Sequence, residues 1–218
     1  RSVRALEPQI RDVTTTLIDA FIDRGSVDFI PEFAVPLPVT VIADILGVDR
    51  EDIWRFKKWG DLMISGNIDM LSHARRRDVA HAVVELHAYF VPRIEERRRH
   101  PTDDLLSIMV NTEVGGEPPL TTEELLPIID QILLAGHETT TNLIGNAMLV
   151  LLSDNTLMTR LRTNPTDIPA MVEEALRWDP PSQCTYRRVT RDDDGIDLPI
   201  GERDVYDELA LSRWTILF

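Results

Sequence analysis

Apolar residues at Val3, Leu6, Ile10, Val13, Leu17 and Phe21 recur at steps of three and four. That spacing predicts an amphipathic helix at the start of the chain, ending near Gly25, which suits a left-handed cap. Val27 to Pro38 mixes aromatic, apolar and proline residues and reads as an extended connector. Val39 to Leu46 predicts a short helix closed by Gly47, and Asp49 is placed to cap the next helix, which runs to about Gly66. From Met70 to about Arg99, the positions Val79, Val83, Leu86, Phe90 and Ile94 again follow helical steps. Arg97, Arg98 and Arg99 at its end complement the helix dipole and read as a solvated terminus. Asp103 and Asp104 start a short helix through Val110, and Gly115-Gly116 mark a loop. Thr121 and Glu124 have capping-box spacing ahead of the longest predicted helix, 122 to 153, which at 1.5 Å per residue is roughly 45 Å long. Asn164-Pro165 separates one more short helix from Ile168 to Arg177, which Asp179-Pro180-Pro181 stops. Strand-like runs follow around Thr185 to Val189 and Ile196 to Ile200, with Asp194-Gly195 as a turn. The pattern predicts a mainly helical fold with a small β element near the C-terminus.

The composition narrows the partners. Among 218 residues, 23 basic and 37 acidic side chains give a net charge of −14, which repels phosphate backbones and anionic lipid surfaces. Nucleic acid and membrane are therefore not expected as partners. Hydrophobic residues make up 43%, enough for a packed core. The most apolar stretch, Leu125 to Leu152, is interrupted by Asp130, His137, Glu138 and Asn142, so it reads as a buried helix rather than a membrane span. Cys184 is the sole cysteine, so neither an intrachain disulfide nor a multi-cysteine metal site can form. No secretory leader is legible, and a cytoplasmic location is expected.

Chemistry concentrates in the middle of the long helix, Ala135-Gly136-His137-Glu138-Thr139-Thr140-Thr141. Glycine and three adjacent threonines weaken a helix locally, and threonine hydroxyls can bond back to the preceding turn. A gap, a carboxylate and a hydroxyl meet there; a helix-packing notch is the plainer account of the same residues. A zinc helix would need H-E-x-x-H, but Thr141 stands where the second histidine belongs. A magnesium-dependent terpene-cyclising site would need an aspartate cluster on a cavity-facing helix, whereas Asp192-Asp193-Asp194 lies in a turn. No metal ligands are predicted. Further on, Glu174 and Arg177 stand three apart and can pair on one helical face. Trp178-Asp179-Pro180-Pro181 and Gln183-Cys184-Thr185-Tyr186-Arg187-Arg188 follow them.

Together these residues resemble the cytochrome P-450 family of haem-thiolate monooxygenases, of the soluble bacterial type. The run at 135 to 140 is similar to the family's oxygen-activation motif, and Glu174-x-x-Arg177 to its E-x-x-R helix. Pro38 to Asp49, Asp103 to Leu106 and Leu120 to Leu125 extend the likeness to about residues 2 to 203. The resemblance implies the central helical part of that fold and haem b in the full-length parent. It also implies dioxygen, a small apolar organic substrate and an electron donor of ferredoxin or flavin type. Thr139 and Glu138 would then be catalytic, the hydroxyl hydrogen-bonding the bound oxygen and the carboxylate relaying protons. Ala135 and Gly136 would lie against the cofactor and leave room for dioxygen, and Arg187 would meet a haem propionate. Leu134 and Gln183 would touch substrate. Glu174 and Arg177 would be structural, buried beneath the haem.

Two departures qualify this reading. The family's F-x-x-G-x-x-x-C-x-G ligand loop does not occur in the chain, and Cys184 follows the diproline, on the substrate side. Residues 1 to 203 therefore read as a partial monooxygenase domain truncated at both ends. Residues 204 to 218 read as a divergent tail, with a frameshift as one origin. The polypeptide as given is expected to be inactive. A non-enzymatic helical interaction module derived from the same fold is the alternative.

Overall fold

The computed structural model describes residues 2–64, 72–113, 115–183, 186–188 and 204–206. Its helices are α1 (Ser2–Ala5), α2 (Glu7–Asp19), α3 (Pro36–Ile45), α4 (Ile53–Met63), α5 (His73–Arg99), α6 (Leu105–Asn111), α7 (Thr122–Ser153), α8 (Asn155–Thr163) and α9 (Ile168–Trp178). Two short strands, β1 (Tyr186–Arg188) and β2 (Asp204–Tyr206), pair antiparallel, with Arg187 opposite Val205. The expected strand at Ile196 to Ile200 lies outside the described residues. So does Gly66, the expected end of the helix that the structure closes at Met63.

The chain divides into two compact units, residues 1–141 and 142–218. The first has its own hydrophobic core. Phe56 and Trp59 of α4 pack with Leu86 and Phe90 of α5 and with Leu125, Ile129 and Leu133 of α7. Trp59 Nε1 donates to Glu85 at 2.9 Å, so the large indole is buried without orphaning its polar edge. His87 Nε2 lies 3.0 Å from Asp130 and ties α5 to α7. In the second unit α8, the turn Pro165–Asp167 and α9 follow the end of α7. Arg160 bonds Asp167 at 2.8 Å there, and Asn146 donates to the Asp179 carbonyl at 3.4 Å.

Local signals set most helix starts. Glu124 Oε2 accepts from the Thr121 amide at 2.8 Å, and Thr121 Oγ1 accepts from the Glu124 amide at 3.3 Å. This is the reciprocal box its spacing predicts. Asp104 caps α6 through the Ser107 amide at 2.7 Å.

Three local expectations give way. Val27 to Pro38 is not extended: a π-helical turn, Ile30–Ala34, runs into α3. Pro36 and Pro38 occupy the first turn of α3, where no amide donor is required. Phe29 stacks on Phe33 one turn later, with centroids 5.1 Å apart. Asp49 does stand before a short helical turn, Arg50–Asp52, but makes no side-chain cap. Its carboxylate is taken instead by Arg93 of α5. Arg97, finally, is not solvated: only 15% exposed, it bonds Asp104 at 2.7 Å.

Candidate active site

One side of α7 carries the stripe Leu125, Ile129, Leu133, His137 and Thr141, all buried. Steps of four keep these side chains on one slowly winding line. The other side presents Gln131, Ala135 and Glu138 to solvent, flanked by the half-buried Leu134 and Thr139. One helical face thus brings Leu134, Ala135, Glu138 and Thr139 together.

The stretch is helical throughout, and two of its hydroxyls bond to backbone carbonyls. Thr139 Oγ1 donates to the Ala135 carbonyl at 2.6 Å. Thr141 Oγ1 lies 2.9 Å from the His137 carbonyl and 3.2 Å from that of Ala34. Gly136 abuts α3, where a Cβ would stand 2.7 Å from Ile42 Cδ1. Its missing side chain is what lets these helices approach so closely.

His137 lies in the buried stripe with its side chain 6% exposed, and its Nε2 is 3.6 Å from Asp61 of α4. Burial holds the imidazole below its usual 6.5; Asp61 opposes this and Lys57 reinforces it. Sequence reasoning weighed His137 only as a zinc ligand. The period-four stripe was the available signal that it points inward.

In the second unit, Arg177 grips Glu174 with two bonds, at 2.8 and 2.5 Å. The Arg177 hydrogen bond holds the Glu174 carboxyl below its ordinary range. Both side chains are more than half exposed rather than buried. Gln183 Nε2 donates to Asp179 at 3.2 Å. Arg187 is the central residue of β1, and its side chain lies outside the described residues, as does Cys184. Beside the Glu174–Arg177 pair is an apolar cavity of about 620 Å³, lined by Leu149, Leu157, Leu161, Met171, Ala175 and Trp178.

A helical scaffold whose central helix carries an exposed carboxylate and an adjacent back-bonded hydroxyl, followed by an E-x-x-R helix, belongs to a recognisable class. The Cytochrome P-450 family model matches residues 53–202. A cytochrome P-450 of Bacillus subtilis is 40% identical over 197 residues, covering 88% of this chain and 49% of its own length. The vitamin D(3) 25-hydroxylase of Pseudonocardia autotrophica is 34% identical over 98% of this chain and 52% of its own. Among solved structures, CYP109E1 from Bacillus megaterium in complex with testosterone superposes with a TM-score of 0.84 at 34% identity. That match covers 96% of this chain and 56% of the other. The chain belongs to the cytochrome P-450 family and spans about half the length of the curated relatives it matches.

The family's cofactor is haem iron. Among the described residues, those on one face of α7 are of types that fit it. The open face with Ala135, Glu138 and Thr139 offers a small side chain, a carboxylate and a hydroxyl. No group of three His, Cys, Asp or Glu among the described residues could hold a metal ion, and the sequence around Cys184 does not match F-x-x-G-x-x-x-C-x-G. No described helix is long and apolar enough to cross a membrane.

Proposed function

We propose that the chain is the central portion of a haem-dependent monooxygenase that acts on a small apolar organic substrate. The observation that carries this reading is the exposed Glu138 beside the back-bonded Thr139, within the region the family model matches. Haem with a thiolate ligand supplies oxygen activation in such proteins, with electrons delivered by a ferredoxin-type or flavin donor. The relatives named as a vitamin D(3) 25-hydroxylase and solved in complex with testosterone support an apolar organic substrate.

The role of this chain's residues follows from their positions. The exposed Glu138 carboxylate can exchange protons with solvent and pass them along the helix face. The Thr139 hydroxyl, held by the Ala135 carbonyl, keeps its lone pairs directed away from the helix. Ala135 and Leu134 supply an apolar surface beside them. Arg187 is assigned to a propionate carboxylate and Gln183 to substrate, and Glu174 with Arg177 to the scaffold. By itself the polypeptide lacks the proximal cysteine loop, so it is assigned no turnover.

The test is a chimera in which this chain replaces the matching stretch of the Bacillus subtilis relative. Thr139→Ala in that chimera should release peroxide while electron consumption continues, lowering product per electron at least tenfold. Unchanged product yield would remove Thr139 from the assigned role. The 218-residue chain alone, mixed with haem, reduced and exposed to carbon monoxide, should give no thiolate-type Soret band. A strong band abolished by Cys184→Ser would overturn the assignment of inactivity.

A further inference from the structure

Three consecutive threonines in α7 have different surroundings. Thr140 is exposed and Thr139 bonds back to Ala135 in its own helix, whereas Thr141 also reaches another segment. Its side chain is buried, and Oγ1 lies 3.2 Å from the Ala34 carbonyl, 107 positions away in the chain, and 2.9 Å from that of His137. The sequence around Ala34 explains the long-range bond. Ala34 is fully buried at the end of the π-helical turn, and Val35 carries the right-handed helical backbone on into α3. In that geometry the donor for the Ala34 carbonyl is the amide of residue 38. Position 38 is proline, which has no N–H and whose ring crowds the carbonyl four residues back. The first turn of α3 needs no amide from Pro38, but the buried carbonyl behind it does, because leaving it unpaired is costly. Thr141 Oγ1 supplies the proton in place of that amide. Five residues earlier, Gly136 meets the same neighbour: a Cβ there would stand 2.7 Å from Ile42 Cδ1 of α3. The two contacts bracket the exposed Glu138 and the half-buried Thr139.

We propose that Thr141 is a positioning residue: by donating to the carbonyl that Pro38 leaves without an amide, it pins α7 to the segment leading into α3 and so fixes where Glu138 and Thr139 stand. The importance of those two residues rests on the monooxygenase reading; the bond and its dependence on Pro38 do not. Gly136 lets the helices approach, but apolar contact has no direction of its own and leaves α7 free to slide or turn against Ile42. A hydrogen bond is directional. Placed two residues beyond Thr139, it fixes both the rotation and the height of the turn that carries the pair. Placement matters there because a shift of about 1 Å at a reacting group is enough to lose most of its effect.

The test combines two variants with opposite effects on the Ala34 carbonyl. Thr141→Val keeps the side-chain shape and removes the donor, while Pro38→Ala restores the amide the carbonyl lacks. In the 218-residue chain, Thr141→Val should speed amide exchange at 138–141 roughly tenfold, with 125–130 of the same helix unchanged. Thr141→Ser should keep exchange within about twofold of the unaltered chain. In the Pro38→Ala background Thr141→Val should have little effect, a coupling that a general loss of packing would not produce. In the chimera with the Bacillus subtilis relative, Thr141→Val should lower product per electron roughly threefold or more, and Thr141→Ser should restore it. Exchange indifferent to Thr141→Val, acceleration spread evenly along α7, or the same acceleration in the Pro38→Ala background would each overturn the role. So would an unchanged product yield for Thr141→Val in a chimera that Thr139→Ala uncouples. An active chimera indifferent to Thr139→Ala would instead count against the monooxygenase reading of that residue, and the exchange cycle would still decide the bond. Should Thr141→Val fail to fold, its recovery in the Pro38→Ala background supports the role, and failure in both backgrounds counts against it.

Discussion

Gly47 and Gly25 make an instructive pair. Both have left-handed backbones, with φ of 69° and 71°. Around Gly25 a Cβ would meet nothing within 4 Å. At Gly47 it would stand 2.6 Å from Asp104 Oδ2 and 3.0 Å from Arg97 Nη2. An alanine at either site incurs the left-handed penalty of roughly 1–2 kcal/mol. Only at position 47 must it also displace a largely buried ion pair. Gly47→Ala should therefore cost about 2 kcal/mol more than Gly25→Ala, read from urea unfolding midpoints at constant slope. Equal losses would mean that the ion pair moves aside freely. The turn at Gly47 was legible from glycine alone. Its crowding was not, because Arg97 and Asp104 reach it from segments that sequence patterns treat separately.

At the scale of elements, Asp104 joins α5 to α6. It caps α6 through Ser107, accepts from Thr102 at 2.8 Å and binds Arg97 at 2.7 Å. Burial alone would raise its pKa, but the Ser107 amide, Arg97 and Thr102 outweigh it and hold the carboxyl below its usual 3.8. Its contribution to stability is therefore complete above about pH 4. It fades as pH falls through the lowered value, because the unfolded chain binds the proton first. Asp104→Asn should cost about 1–3 kcal/mol at pH 7. It should also flatten the acid limb below pH 4 in thermal melts; parallel limbs for the two proteins would assign acid sensitivity elsewhere. The sequence showed the cap but read Arg97 as solvated, since charge runs carry no record of a distant partner. The capping box of α7 and the Glu174–Arg177 pair were legible because each is complete within four residues. The His137–Asp61 approach and the aromatic turn before α3 were not, because tertiary packing creates them. Within the candidate site, Ala135, Glu138 and Thr139 could be recognised by motif. The buried side of the same helix became visible only once its neighbours were in place.

For the molecule as a whole, the second unit exposes Leu149, Leu152 and Trp178, each about two-thirds or more open to water. Clustered apolar exposure of this kind drives association or dye binding. The opposing influence is the net charge of −14, which makes copies of the chain repel one another over roughly 30 Å at 0.01 M ionic strength. Salt shortens that reach to about 8 Å at physiological ionic strength and roughly 3 Å at 1 M. The colloidal behaviour should therefore run towards salting-out from the start: dispersed at low ionic strength, clustering as sodium chloride rises. Light scattering should show the rise, and Leu149→Lys with Trp178→Glu should suppress it; an intensity that falls with salt in the unaltered chain would place the attraction in charge contacts instead. An apolar face that is tolerable in a dilute, weakly screened solution thus sets an upper limit on the ionic strength at which copies of this chain remain apart.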